Sequence, residues 1–301
     1  MIQTSGIFTG GGEGSKYKPY LTFRSAYPFV LGVDTPGWDG TVEMSRDAET
    51  WEVWRGYSEV SETNAEEGYD YLYLRGTGNT TMMSSDVTDP TGLTITGFDV
   101  HCIGNIETIL DYQTVESGNH PAMAKGCFRI FFKNCPIVAA PDLPATTLSE
   151  RCYIGMFQGC DKLVVAPELP ATVLTASCYY AMFNGCSSLM LPPQLPATEL
   201  ASMCYMTMFT KCTSLIGIPV LKANTLYLNC YNGMFDGCNK IKLSSTKVDE
   251  YSKNYRIPFA GTGVVEEPPA LGTMFRGTGG TFAGTPTINT TYYVSDNNIV
   301  V

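Results

Sequence analysis

The chain has 301 residues, a hydrophobic content of 44% and a formal net charge of −10. This negative net charge argues against a nucleic-acid partner, because phosphate binding needs clustered Lys and Arg. No apolar run reaches the roughly 18 residues of a membrane-spanning helix, which argues against a membrane span. Charged residues make up only 16%, whereas Gly (30), Tyr (18) and Pro (18) are plentiful, so turns and short strands are expected rather than long charged helices.

The first segment, residues 1–16, contains the glycine-rich run 10–14 and is predicted to be an anchoring arm. Ordering such a run costs about 1–2 kcal/mol of backbone entropy per residue, which contact with other structural proteins of an assembly would offset. Packing of the arm on its own β-domain stays open as an alternative. Because the chain starts at Met1 without the basic start and apolar core of a signal peptide, we expect that no leader was removed.

Residues 17–88 are predicted to form a small antiparallel β-domain, either a sandwich or a barrel-like unit. Short apolar and aromatic runs alternate here with turn residues such as Asp39-Gly40. We expect this domain to close the first unit of the repeat that follows. The β-rich runs lie at residues 20–23, 29–33, 41–44, 50–54 and 69–74.

Residues 89–245 carry an internal repeat with a period of about 26 residues. Ten of the eleven cysteines form pairs eight residues apart, and successive pairs are offset by 25 or 26 residues. A Phe stands three residues before the second Cys of every pair, and a Tyr follows the first Cys in four of the five units. The pairs are Cys127/Cys135, Cys152/Cys160, Cys178/Cys186, Cys204/Cys212 and Cys230/Cys238.

The apolar residues inside one unit follow helical spacing. They occupy positions i, i+1, i+4, i+5 and i+8, which predicts one or two helical turns in each unit. A short apolar stretch such as 163–165 and then a Pro follow the second Cys, which predicts one short strand per unit and a parallel ladder when the units stack. In one unit the helical positions are Cys152, Tyr153, Met156, Phe157 and Cys160.

The residue before each second Cys is predicted to leave the helical turn in a left-handed conformation. Glycine adopts this conformation freely and fills the position at Gly159, Gly185 and Gly237. Asn134 is the next-best residue for the same role. Lys211 departs from the pattern and is predicted to carry strain on the order of 1 kcal/mol.

Over residues 100–245, the pattern Cys-x-x-Leu…Leu-Pro-x-x-x-Leu…Met-Phe-x-x-Cys resembles the BspA-like (Treponema pallidum-type) leucine-rich repeat. The resemblance implies a curved solenoid with a parallel sheet on its concave face. Family members are often bacterial surface adhesins that bind host matrix proteins or other cells, and they also occur in gut bacteria and their phages. The expected fold class is a repeat solenoid with a short parallel strand and a helical turn in each coil, between the N-terminal β-domain and a C-terminal β cap.

Residues 246–301 are predicted to form that cap. Pro268-Pro269 punctuates the segment, and Met274-Phe275 repeats the Met-Phe pair of the units after an irregular insertion. The run 290–294 is rich in β-forming residues. A β-segment over the last coil is expected because exposed repeat ends invite association.

The cysteines could be metal ligands, disulfides or core side chains. Zinc sites favour Cys pairs two to four residues apart with four converging ligands, which a spacing of eight along a stack does not provide. Free Cys behaves as a small hydrophobic residue and is often fully buried. We favour the core interpretation, with disulfides second and metal last.

Candidate catalytic residues are few. His101 and His120 are the two histidines, each remote from a nucleophile motif, and both are interpreted as polar surface or capping residues. The glutamate pairs at 66–67 and 266–267 are interpreted as solvated charges, because adjacent side chains point apart. The sequence therefore predicts no catalytic, cofactor-binding or metal-binding residues and no cofactor.

Some positions vary between units while the core positions stay constant, and these are interpreted as outward-facing. Relaxed constraint explains such variation as well as a ligand does, so they are not proposed as sites. The first set consists of the pairs Ser149/Arg151, Thr175/Ser177, Ala201/Met203 and Tyr227/Asn229, and the second of the pairs Ile154/Gly155, Tyr180/Ala181, Met206/Thr207 and Asn232/Gly233.

The favoured functional hypothesis is a non-enzymatic structural or adhesion protein. We expect a phage virion fibre or decoration protein, anchored by the arm at 1–16, that presents the repeat surface to a host surface protein or glycan. The alternative is a bacterial cell-surface adhesin of the BspA-like kind that binds host matrix proteins. Assembly into a homo-oligomer stays open.

Overall fold

The computed structural model describes residues 19–33, 35–60, 68–83 and 92–301. The predicted arm at 1–16 and the glutamate pair at 66–67 lie outside the described residues. Within the described ranges the secondary structure consists of seventeen short strands and one helix, α1 (Thr108–Glu116). The path of α1 is interrupted at Asp111, whose φ and ψ are −152° and 99°.

Two sheets at the N-terminal end contain the predicted β-rich runs. The strands are β1 (Leu21–Ser25), β2 (Phe29–Gly32), β3 (Thr41–Ser45), β4 (Glu52–Val53), β5 (Tyr57–Val60), β6 (Asp70–Thr77), β7 (Thr94–Gly97), β8 (Val100–Ile103) and β9 (Ile137–Ala139). One sheet has the order β4-β3-β6-β1-β8-β9 and the other the order β5-β2-β7. Alternate side chains point into a shared core, and Leu21 and Phe23 of β1 are fully buried there.

The pair β8–β9 joins the N-terminal sheet to the repeat. All other neighbours in the two sheets are antiparallel, whereas β8 and β9 run parallel, with His101 opposite Ala139. A further parallel bridge links Asn105 to Asp142. The repeat therefore continues from the edge of the six-stranded sheet.

Each unit contains a ten-residue segment that we call a rung. The rungs are residues 126–135, 151–160, 177–186, 203–212 and 229–238. All five lie in the described range 92–301, and none of them is an α-helix. The expected leucine-rich-repeat solenoid with a helical turn in each coil is therefore wrong. The chain consists of small sheets and turns, and the nine residues of α1 are its one described helix.

The route of the backbone hydrogen bonds explains why the rungs are not helical. Along rung 151–160, the Met156 N–H donates to Tyr153 O three residues earlier (3.2 Å), whereas the Phe157 N–H donates to Met182 O of the next unit (2.9 Å). The same alternation recurs in the other four rungs. An α-helix keeps every N–H for the carbonyl four residues earlier. Because half of the donors leave the rung, the hydrogen bonds join neighbouring units instead of closing a helix.

Left-handed residues occur at every fourth position of a rung. In rung 151–160 they are Arg151, Gly155 and Gly159, with φ of 63°, 54° and 75°. The predicted left-handed residue before each second Cys is confirmed in all five rungs, including Lys211 with φ of 61°. The sequence does not predict the two earlier positions. Consecutive four-residue turns repeat side-chain directions at i, i+4 and i+8, which imitates the spacing of a helix.

The predicted strand in each unit is reduced to single residue pairs. Ala139 bridges Val165, and Val165 bridges Leu191, both in parallel. Prolines next to these residues, such as Pro192, have no N–H with which to extend the ladder. A longer pairing forms at Gly217–Ile218, where the partner is the C-terminal segment Ile299–Val300.

The C-terminal residues close the stack of rungs. Residues 269–277 form a shorter, nine-residue sixth rung, in which Met274 O accepts the Phe235 N–H (2.9 Å) and the Phe275 ring stacks on Phe235 at 5.5 Å. The Phe275 N–H then donates to Gly284 O (2.8 Å), so a later loop covers this end. The remaining strands are β10 (Gly217–Ile218), β11 (Thr225–Leu226), β12 (Lys242–Ser244), β13 (Lys253–Arg256), β14 (Val264–Val265), β15 (Gly279–Gly280), β16 (Thr291–Val294) and β17 (Ile299–Val300). Four of them form a sheet in the order β13-β16-β12-β15.

Candidate binding surface

Two columns of stacked rings run through the interior of the rungs. Neighbouring rings of the phenylalanine column lie 5.4–5.6 Å apart and within 8° of parallel. Those of the second column, mostly tyrosines, lie 5.8–5.9 Å apart. The columns hold every unit at the same spacing, so the outer surface of the stack is preformed. Their members are Phe132, Phe157, Phe183, Phe209, Phe235 and Phe275, and Phe128, Tyr153, Tyr179, Tyr205 and Tyr231.

The cysteines belong to this interior. All eleven lie within the described residues and are free and buried, which confirms the core interpretation. The thiol of each second Cys donates to a backbone carbonyl of an earlier segment, as Cys186 Sγ does to Phe157 O at 3.1 Å. Burial raises the pKa of Cys186 to about 12, which keeps this thiol protonated at neutral pH. These groups are therefore donors and packing side chains rather than nucleophiles.

The two histidines are each paired with one carboxylate. His101 Nε2 lies 3.6 Å from Asp99 Oδ1, and His120 Nδ1 lies 2.7 Å from Glu107 Oε2. The interpretation of His120 as a surface residue agrees with a side chain that is 52% exposed. Neither pair includes a serine, threonine or cysteine nucleophile in the hydrogen bonds of the described residues. The arrangement supports local structure at the start of the repeat.

A buried polar site near α1 is not predicted by the sequence. Glu107 is 1% exposed, and burial raises the pKa of its carboxyl, an effect that His120 partly opposes. Its Oε1 and the Tyr153 hydroxyl are both buried without a hydrogen-bond partner among the described residues. Burial also raises the pKa of the Tyr153 phenol, and the Glu107 charge adds to this. An isolated buried carboxylate gives no signal in a single sequence, because its burial depends on the loop that covers it.

The remaining charged candidates are surface features. The glutamate pair at 266–267 is exposed, and Glu267 accepts a hydrogen bond from the Ser202 hydroxyl (3.1 Å). Within the described residues, no group of three or more His, Cys, Asp or Glu side chains is arranged to hold a metal ion. In the same part of the chain, no helix has the length and apolar character needed to cross a membrane.

The positions that vary between units differ both in exposure and in backbone conformation. Arg151 is exposed, but Gly155, Ala181 and Gly233 are buried, so the prediction that both sets face outward is wrong for these three. The second residue of every pair is a left-handed residue of a rung. Gly and Asn tolerate that conformation best, which accounts for Gly155, Gly233 and Asn229 but not for residues such as Arg151 or Met203.

An exposed row of aliphatic side chains lies outside the rungs, and we call it the aliphatic stripe. The row follows the second Cys of neighbouring units, where Leu163 and Leu189 are buried but the next two residues of each unit are not. The stripe consists of Val164 (45% exposed), Val165 (62%), Met190 (46%), Leu191 (37%) and Ile299 (40%).

Backbone pairing aligns the members of the stripe. Val165 bridges Leu191 directly. Met190 O accepts the Ile216 N–H at 2.9 Å, and Ile216 O accepts the Ile299 N–H at 3.1 Å. The stripe therefore runs along the stacking direction, from one unit to the next and on to the C-terminal strand β17.

No protein-family model matches the chain, and neither a curated protein nor a solved structure is similar to it at a significant level. The resemblance to BspA-like repeats stays a prediction. The function is therefore argued from the surface that the chain itself presents.

Proposed function

We propose that the chain is a non-enzymatic structural protein that binds other protein surfaces through the aliphatic stripe. The observation that carries this proposal is the alignment of five aliphatic side chains that are 37–62% exposed. Single exposed hydrophobic residues are ordinary, but several that are aligned on neighbouring units are typical of an interaction surface.

The scaffold beneath the stripe supports this proposal. Amides of each rung donate to the next unit, and stacked rings fix the spacing of the units. Association is weakened by the entropy of ordering loops and side chains, so a preformed surface binds with less of that loss. The side chains of the stripe also carry no hydroxyl, amide or charged group, which favours a protein partner over a glycan.

The predicted place of action remains a virion, with a bacterial cell surface as the alternative. The virion hypothesis depends on anchoring by the arm at residues 1–16, which lies outside the described residues, whereas the adhesin hypothesis does not. The stripe suits either location, since a fibre component and an adhesin both act by presenting a surface.

A pair of matched lysine substitutions tests the proposed function. Val165 is 62% exposed within the stripe, whereas Val173 is 52% exposed outside it. We expect Val165→Lys to abolish binding of the full chain to an immobilised panel of the chain itself, matrix proteins and glycans, and Val173→Lys to preserve it. Both variants should keep the wild-type free energy of unfolding to within about 0.5 kcal/mol. Equal binding by both variants, or no binding to any member of the panel, would contradict the proposal.

A further inference from the structure

We infer that the protein surface bound by the aliphatic stripe is the same stripe on a second copy of this chain, related by a two-fold axis. The inference rests on the proposed function and names the partner of that surface. Two properties of the stripe support it, the sizes of its side chains and the distribution of charge around it, and the area of the stripe sets the strength that we expect.

The stripe is self-complementary in size. One unit contributes the short side chains Val164 and Val165, and the next unit contributes the longer Met190 and Leu191. A two-fold axis between these units sets the valines of each copy against the longer pair of the other. A parallel arrangement would instead set short against short and long against long. Close packing favours the first arrangement, because a long side chain then fills the space that a short one leaves.

Charge does not oppose contact between two copies at this face, although the net charge of each chain is −10. The stripe and its flanks lie in segments 161–168, 187–194 and 296–301. Their charged residues are Asp161, Lys162, Glu168 and Asp296, which sum to −2. Segment 187–194 and segment 213–220, which lies between it and Ile299, hold no charged residue. Like-charge repulsion, which suppresses wrong partners at an interface, is therefore small here.

The area of the stripe sets the strength of the expected dimer. Side chains of this size at these exposures present roughly 400 Å² per copy, within the range of functional patches on monomers. Two copies together would bury about 800 Å² plus a rim, which is below the roughly 1,200 Å² of a stable, specific interface. We therefore expect a weak, concentration-dependent dimer with a Kd on the order of 10–100 µM.

Sedimentation equilibrium of the full chain from low micromolar to several hundred micromolar tests this inference. The wild type and Val173→Lys should show the same monomer–dimer equilibrium. Val165→Lys and Leu191→Glu should each weaken it at least tenfold, because a charged side chain would be buried against an aliphatic one. A mixture of Val165→Lys with Leu191→Glu should recover association, since the two-fold arrangement sets residue 165 of one copy against residue 191 of the other.

Wild type that stays monomeric at every concentration, or Val165→Lys that associates like wild type, would overturn the inference. Failure of the charge-reversed mixture to associate, when each single variant is monomeric, would overturn the two-fold arrangement. Failure of the proposed function gives a different signature. If Val165→Lys unfolds more readily than Val173→Lys, the valine is covered within the monomer and the stripe is not a binding surface.

Discussion

Lys211 occupies a left-handed conformation, with φ of 61°, at a position that the neighbouring units fill with Gly185 and Gly237 (φ 81° and 76°). A residue with a Cβ loses about 1–2 kcal/mol in that conformation relative to glycine. Glycine in turn lowers the free energy of unfolding by about 0.4–1 kcal/mol, because it makes the unfolded chain more flexible. The Lys211 side chain is exposed, so its removal gives up little packing. We therefore expect Lys211→Gly to raise the free energy of unfolding by about 0.5–1 kcal/mol.

The opposite substitutions provide the controls. A Cβ at Gly185 would meet nothing closer than Gly159 Cα at 3.6 Å, an ordinary contact, so Gly185→Ala should lower stability by about 1 kcal/mol through its φ alone. A Cβ at Gly159 would overlap Asn134 Oδ1, so Gly159→Ala should lower stability further. Urea denaturation followed by circular dichroism gives all three values, provided that the m-value is unchanged. A Lys211→Gly protein less stable than wild type, at the same m-value, would refute the strain argument.

Three further outcomes are expected. The native protein should react negligibly with a thiol reagent at pH 8, because burial raises the pKa of thiols such as Cys186 to about 12; fast labelling of several cysteines per chain would contradict their burial. The free energy of unfolding should fall as the pH rises from about 9 towards 12, because thiols that ionise in the unfolded chain stay protonated in the folded one. A melting temperature that does not change over this pH range would exclude the effect. Tyr153→Phe should leave the free energy of unfolding unchanged or slightly raised, because the Tyr153 hydroxyl has no hydrogen-bond partner among the described residues and Phe128 fills the equivalent place. A loss above about 1 kcal/mol in thermal or urea unfolding would indicate a bridging water to Glu107.

The interior of the repeat could be predicted from the sequence, whereas the path of the backbone could not. A stack of equivalent units needs the same side chain at each level, so Phe157, Phe183 and Cys186 reveal the period directly. Apolar residues at i, i+4 and i+8 fit a chain of four-residue turns as well as a helix. A helix and a chain of four-residue turns differ in the carbonyls to which alternate backbone N–H groups donate. The spacing of apolar residues in the sequence does not reveal which carbonyls these are. Glycine at both 155 and 159, and again at both 233 and 237, is the local signal of a four-residue period.

The candidate surface is missed for a related reason. The stretches that contain Val165 and Leu191 are as apolar as a buried strand, and from the sequence each is predicted to form a short strand. In the structure only the first residue of each stretch, Leu163 or Leu189, is buried, and the two residues after it are exposed. The hydrophobicity of a side chain predicts that burial would stabilise it. The direction of the backbone decides whether that side chain is in fact buried.

The hydrogen bonds that cross from one rung to the next also bear on how such a protein changes over generations. Rung 151–160 donates to the unit of rung 177–186, and that rung in turn donates to the unit of 203–212 with the same partners at the same offsets. Removing one complete period of 26 residues would bring the first of these rungs against the third, with every donor again facing a carbonyl. Gene segments that encode one such period could thus be lost or duplicated with all hydrogen bonds between the newly adjacent rungs still made. A gain or loss of a few residues within a rung would instead misalign all of its backbone donors. The array is built to vary in whole periods, and the length of the aliphatic stripe would vary with it.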